Sequence, residues 1–385
     1  MSKSPMQLTE YLYNKAGRAG IPIGGTFELS PVCNFACRMC YVRKTAAEVA
    51  AHSRPILTLD RWLDIARQAR EQGLLYLLLT GGEPLLWPDF WTLYEELARM
   101  GFLLSINTNG TLIDGAAIER LRRFPPRRVN ITLYGAGDAA YQALCGAKGV
   151  FSRVSGAIEG LQQAGVSVKL NGTLTPQNVG DLDALVAYAA SRKLILDTTT
   201  YLFPPVRRDP SMTGVNQRFT PEDAARHHLR IFRLQNGEER YQAYLEKIRK
   251  GSIPPLGLDE SCVDPVDGRI RCRAGKASFW ITWDGYMTPC GMMPEPKADL
   301  TGRTFAQAWQ ELTQKSAELA LSGVCAKCPD QQLCHSCAAM AIAETGTAAG
   351  IPTYLCQMAA AMRDLAESEL AAEGQKPPLN LQTDI

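Results

Sequence analysis

Three cysteines fall at the spacing C-x3-C-x2-C in the stretch Cys33-Asn34-Phe35-Ala36-Cys37-Arg38-Met39-Cys40. Thiolates are soft ligands for zinc or for iron–sulfur clusters, and a closed structural site of either kind takes four protein ligands. Three thiolates leave one metal position open to a substrate or a cofactor. Taken alone, the triplet fits a cluster with one catalytic iron, a zinc site whose fourth ligand lies elsewhere, or three buried structural cysteines.

The chain has 12 cysteines in 385 residues. Beyond the triplet, eight crowd toward the C-terminus: Cys262, Cys272, Cys290, Cys325, Cys328, Cys334, Cys337 and Cys356. Cys145 stands apart and reads as a small buried hydrophobe. Clustered cysteines in a reducing compartment point to metal or redox chemistry. Only 4 histidines are present, so mixed Cys/His zinc sites have little material. Lys+Arg and Asp+Glu nearly balance at 41 and 39, which gives no broad electrostatic signal for nucleic acid or a membrane surface. No apolar run approaches the roughly 20 residues of a membrane span. The N-terminus lacks the apolar core of a signal peptide, so the expected location is cytoplasmic.

Alternating elements position these residues. Apolar runs predict strands over 26–32, 74–80, 102–107, 128–134, 166–171 and 194–201. Helices are predicted between them over 59–72, 88–100, 113–123, 150–164 and 182–189. In the first, Trp62, Leu63, Ile65, Ala66 and Ala69 form one stripe, Thr58 is an N-cap and Gly73 follows the end. Six strands with intervening helices imply a parallel α/β sheet, either a barrel lacking two units or a doubly wound sheet. In both, active-site residues gather where strands end. The triplet follows strand one, and Gly81-Gly82-Glu83-Pro84 follows strand two. Asn107, Thr108 and Asn109 follow strand three. Thr132 with Tyr134, and Asn171 with Thr173, close strands four and five.

The rest divides by composition. Residues 1–25 are a lead-in with an exposed basic segment around Lys15 and Arg18, and 26–205 are the α/β unit. Residues 206–258 are a bridge, with charged helices over 221–250 and a linker after them. Residues 259–360 hold the C-terminal cysteines, and 361–385 are a helix end and tail.

The triplet and the glycine pair together resemble the radical S-adenosylmethionine (SAM) superfamily, whose signature is C-x3-C-x2-C after the first strand and a GGE segment after the second. The resemblance implies an α/β partial (β/α)6 TIM-like barrel. It implies that Cys33, Cys37 and Cys40 hold a 4Fe–4S cluster, whose open iron chelates SAM. By the same analogy Gly81, Gly82, Glu83 and Pro84 meet the methionyl group, and Asn107, Thr108, Asn109, Thr132 and Asn171 lie near the ribose or carboxylate. The place before the third cysteine is usually aromatic or His. Here it is Met39, with Tyr41 after the cysteine, and adenine contact is expected through the Met39 backbone. Plain core packing is the alternative for both.

The C-terminal cysteines resemble the SPASM extension of that superfamily. Cys272 is followed by Gly285-x4-Cys290, then by Cys325, Cys328, Cys334, Cys337 and Cys356, with x2 between Cys334 and Cys337 where x3 is usual. The family's connectivity implies one auxiliary 4Fe–4S cluster on Cys262, Cys272, Cys290 and Cys337. A second would sit on Cys325, Cys328, Cys334 and Cys356. Zinc sites of four cysteines are the alternative. The resemblance implies an oxidoreductase that generates a 5′-deoxyadenosyl radical and abstracts hydrogen from a ribosomally made peptide. Its expected partners are that peptide and an electron donor such as flavodoxin or ferredoxin; since only about 25 residues precede strand one, any leader recognition would need a separate leader-recognition protein or a surface of the barrel. The alternatives are a small-molecule maturase acting on a haem or quinone precursor, or a sulfatase-type maturase. Sulfatase maturases carry Asp after the G-x4-C cysteine, and Gly291 stands there instead. Asp264, Asp267, Tyr134 and Arg207 fall where an acid or base could act, but charged loop residues are usually solvated, and none is assigned.

Overall fold

The computed structural model describes residues 8–252, 268–270 and 272–374. Six parallel strands form in chain order: β1 (Gly24–Glu28), β2 (Tyr76–Thr80), β3 (Leu103–Thr108), β4 (Arg128–Thr132), β5 (Val168–Thr173) and β6 (Ile195–Thr199). The remaining strands are β7 (Ser278–Ile281), β8 (Tyr286–Thr288) and β9 (Ala298–Asp299). The sheet order is β6-β5-β4-β3-β2-β1-β7-β8-β9. Since β6 and β9 are both edges, the barrel is partial and open. Strand β7 runs parallel to β1 with Gly24 opposite Ser278, so the cysteine-rich region is joined to the barrel through its sheet.

The helices are α1 (Leu8–Ala19), α2 (Ala46–Ala50), α3 (Leu59–Glu71), α4 (Phe90–Arg99), α5 (Gly115–Arg123), α6 (Asp138–Cys145), α7 (Phe151–Gln163) and α8 (Leu182–Ser191). Thr58 caps α3 by accepting from Arg61 N, as its position in the sequence implies. Helix α4 begins at Phe90, two residues beyond Pro88. Helix α6 has no counterpart in the sequence reading; it is short, and its buried Ala140, Tyr141, Leu144 and Cys145 give only two turns of periodicity.

Successive residues of a strand face opposite sides, and that parity divides the barrel's contents. Phe27, Leu77, Leu79, Leu104, Ile106, Val129 and Ile131 are buried in one core with the helices, Phe27 stacking 4.7 Å from Trp62 of α3. The opposite parity puts Thr26, Ser105 and Asn130 on a bore cavity of about 720 Å³, and Thr80, Asn107 and Thr132 on a smaller one at the strand ends. The strands therefore alternate rather than run apolar on both faces, because one face lines a cavity.

A helical pair follows, α9 (Pro221–Asn236) and α10 (Glu238–Arg249). The cysteine-rich region adds α11 (Phe305–Ala317), α12 (Gly323–Ala326), α13 (Gln331–Cys334) and α14 (Ala338–Thr345). The last helix, α15 (Thr353–Gly374), packs back on the pair: Tyr241 OH donates to Glu369 at 2.9 Å, and Tyr354 OH to Phe219 O at 3.1 Å. The boundary expected at residue 361 falls inside this 22-residue helix. Among the described residues no helix is long and apolar enough to cross a membrane.

Candidate active site

The loop after β1 brings its three thiols to one cavity of about 180 Å³. Cys33, Cys37, Cys40, Tyr41, Gly81, Gly82, Asn107, Thr108, Asn109, Thr132 and Tyr134 all line it. Of the residues expected there, Met39, Glu83, Pro84 and Asn171 are not in the lining. Met39 packs against the main core. Asn171 stands beside Thr132 in register on β5. Pro84, itself buried, opens a 3-10 turn.

The glycine pair serves the cysteine loop. Gly82 N donates to Ser30 O at 2.7 Å, and Glu83 N to Val32 O at 2.9 Å. A Cβ on Gly81 would stand 2.4 Å from Ser30 O, and one on Gly82 2.4 Å from Val32 O. Only glycine lets the end of β2 lie this close to the backbone leading into Cys33.

Glu83 is wholly buried, and its carboxylate is taken up internally. It accepts from Thr108 Oγ1 at 2.8 Å, Asn109 N at 2.8 Å and Leu85 N at 3.2 Å. Burial pushes its carboxyl up to about 7, against the pull of those three donors. It thus fixes the turn after β3, and Asn109 passes that order on. Asn109 Nδ2 donates to Asn34 Oδ1 at 2.8 Å and lies 3.8 Å from Cys33 Sγ, while Thr111 N and Oγ1 donate to Asn109 Oδ1. Asn107 Oδ1 accepts from Asn130 Nδ2 at 2.8 Å, linking the smaller cavity to the bore.

Each thiol of the triplet has its own donors. Cys33 Sγ accepts from Phe35 N at 3.4 Å and Cys40 Sγ from Arg43 N at 3.3 Å. Cys37 Sγ donates to the Tyr134 hydroxyl at 3.3 Å, and Cys145 is its neighbour. Burial pushes the Cys33 thiol up to about 12 and the Cys40 thiol upward, whereas Cys145 holds Cys37 below its ordinary value. Cys145 is buried, as expected, but it is also a neighbour of the triplet.

The described C-terminal cysteines fall into two groups. Cys272, Cys290 and Cys337 line the bore cavity together, and the charges of Cys290 and Cys272 add to the burial that pushes the Cys337 thiol up to about 12. Burial pushes Cys334 up to about 11, with added pressure from Cys328, Cys356 and Cys325. Cys325 in turn feels Cys356 and Cys328. Cys262, Asp264 and Asp267 lie outside the described residues. All 11 described cysteines are free thiols. Met292 N donates to Cys290 Sγ and Ser336 N to Cys334 Sγ, both at 3.4 Å. Such N–H donors two residues on would stabilise thiolates in a cluster. Among the described residues no three His, Cys, Asp or Glu side chains close on a point as they would around one ion. The sets are therefore groups of neighbours, and their ligand assignment rests on their number and order along the chain.

Arg207 ties the two regions together. Its Nη2 donates to Glu28 Oε1 and Oε2 at 3.0 and 2.9 Å, and its Nη1 to Gly291 O at 2.7 Å, next to Cys290. Trp280 Nε1 donates to the same carboxylate at 2.8 Å. Neither Glu28 nor Trp280 was singled out in the sequence, although Glu28 shares the inward parity of Thr26.

Comparison with known proteins agrees with this arrangement. Residues 27–189 match a family model described as "Radical SAM superfamily". An AdoMet-dependent heme synthase of Methanosarcina barkeri is 24% identical over 331 residues, 83% of this chain and 92% of that protein. A PqqA peptide cyclase of Streptomyces rochei is 26% identical over 345 residues, 86% and 88% of the two chains. The structure of Streptococcus suis SuiB bound to precursor peptide SuiA superposes with a TM-score of 0.64 at 18% identity, covering 93% of this chain and 83% of that one, and shares the fold.

Proposed function

We propose that the chain is a radical SAM enzyme, as the match of residues 27–189 to that family's model supports, and that it modifies a peptide oxidatively with two auxiliary clusters in its C-terminal region. The observation that supports this most is the sorting of the described C-terminal cysteines into Cys272, Cys290 and Cys337 on the bore and Cys325, Cys328, Cys334 and Cys356 beside them. Cys262 would complete the first set. The first set lines the bore, while the triplet lines the smaller cavity at the strand ends.

When bound, SAM and its 4Fe–4S cluster supply a 5′-deoxyadenosyl radical, which takes one hydrogen atom from the substrate. Cys33, Cys37 and Cys40 would hold that cluster. Gly81, Gly82, Asn107, Asn109 and Thr132 would face the methionyl and ribose parts of SAM. Glu83, with no free acceptor toward the cavity, would act as a positioning residue behind Asn109. Formation of a new bond in the substrate releases one further proton and one electron, and Cys262, Cys272, Cys290 and Cys337 would hold a cluster able to take up that electron. Gly291 also speaks against the sulfatase-type alternative: a Cβ there would stand 2.7 Å from the Trp280 ring, so an Asp has no room.

The heme synthase likeness is the specific reason for a second reading, a small-molecule maturase. Anaerobically reconstituted enzyme with SAM and a low-potential reductant separates the two. Consumption of a peptide encoded beside the gene, with a mass loss of about two hydrogens per new bond, supports the peptide reading. Formation of 5′-deoxyadenosine with turnover of a tetrapyrrole precursor and none of the peptide would replace it with the second.

A further inference from the structure

The end of α6 is built against the middle cysteine of the triplet. Ala36 N donates to Cys145 O at 3.0 Å and Arg38 N to Leu144 O at 3.2 Å, so the backbone on both sides of Cys37 is pinned to this helix terminus. The contact sets the Cys145 thiol, 1% exposed, beside Cys37, which pushes it upward. The Tyr134 hydroxyl lies 3.3 Å from the Cys37 sulfur. The Tyr134 ring is held between Phe35, at 6.3 Å, and Tyr141, at 5.7 Å and nearly perpendicular. Cys33 and Cys40 are met chiefly by backbone N–H groups; Cys37 is met by two side chains, and its thiol donates to the Tyr134 hydroxyl.

A thiolate bound to iron has no proton of its own, so both neighbours must then donate to it. Hydrogen bonds to cluster sulfurs are one of the means by which a protein sets a cluster's potential, and in a site shielded from water they act more strongly. Donors withdraw charge from sulfur and favour the more negative, reduced cluster. We propose that Tyr134 and Cys145 are positioning residues that raise the reduction potential of the SAM-binding cluster by donating to the Cys37 thiolate. The affected step is a one-electron reduction of the cluster by a donor of the flavodoxin or ferredoxin class, in which no bond forms or breaks. The proposal rests on the reading of Cys33, Cys37 and Cys40 as the ligands of that cluster.

The test is a redox titration of the reconstituted full chain, followed through the EPR signal that changes when SAM is added. Only an open cluster responds to SAM, so that response and the iron content check the ligand reading, while the midpoint checks the proposal. Tyr134→Phe and Cys145→Ala are each expected to keep full iron and the SAM response. Each should lower the reduction equilibrium constant about tenfold, or about 59 mV for a one-electron couple. Cys145→Ser keeps a donor and should stay near the parent. Midpoints of Tyr134→Phe and Cys145→Ala equal to the parent's would overturn the proposal. So would loss of the cluster in either variant, which would make the residue a structural support. Tighter SAM binding by Cys145→Ala would also overturn it, since Cys145 would then be competing for the open iron.

Discussion

Replacing Gly82 with Ala tests how tightly the end of β2 holds the cysteine loop. The added Cβ would stand 2.4 Å from Val32 O and 2.6 Å from Pro31 O. Both contacts are backbone atoms, so neither can rotate away, and the loop must move as a unit. Overpacking of this kind costs about 1–3 kcal/mol. The shift also weakens the bonds from Gly82 N to Ser30 O and from Glu83 N to Val32 O, each contributing about 1 kcal/mol. A combined penalty of about 2–4 kcal/mol on the loop's register corresponds to about a 30- to 1,000-fold loss of the correctly set state. The assay is the rate of 5′-deoxyadenosine formation, read beside the SAM-responsive EPR signal and the iron content. Gly115→Ala is the control, because a Cβ there meets nothing within 4 Å. The expected outcome is loss of both SAM readouts in Gly82→Ala, retention of the auxiliary iron, and no change in the control. A Gly82→Ala enzyme within about threefold of the parent would refute the steric argument.

Two further perturbations follow from the buried charges. Glu83 has its carboxyl raised to about 7 by burial, against about 4.3 for an exposed Glu. The neutral form is thus favoured on folding, so its contribution is full below about pH 4.3 and is lost as pH rises through about 7. Glu83→Gln should remove a slope of about one proton from the pH dependence of the apoprotein's denaturation midpoint between those limits, and an unchanged slope would rule this out. Arg207→Met should destabilise by about 3–5 kcal/mol, because it leaves the fully buried Glu28 without its partner. Adding Glu28→Gln should recover more than half of that loss in urea denaturation; simple additivity of the two changes would contradict the pairing.

Much of the barrel was legible because its signals are local. The apolar runs placed all six parallel strands, and periodic stripes placed five of the helices between them within a few residues. The triplet and glycine pair were legible for the same reason, as short motifs at strand ends. What escaped the sequence depends on pairing across long stretches of chain. Cys37 meets Tyr134, and Arg207 meets Glu28, only because the fold brings loops far apart in the chain to one rim. Glu83 read as a cofactor contact, since nothing local shows that Thr108 and Asn109 turn back onto it. Cys145 read as a hydrophobe because α6 was too short to be recognised, and its terminus sets the contact. The inward parity of Glu28 was present in the sequence but concealed by the greasy runs of neighbouring strands.

The proposed site has one open cluster for SAM and two clusters closed by protein. Iron, sulfide and zinc analysis of anaerobically purified protein, compared with a variant carrying Ala at Cys33, Cys37 and Cys40, tests it most directly. About twelve iron atoms per chain are expected in the parent and about eight in the variant. SAM cleavage should be abolished and both auxiliary clusters retained. Zinc in place of iron, or SAM cleavage that persists without the three cysteines, would contradict it.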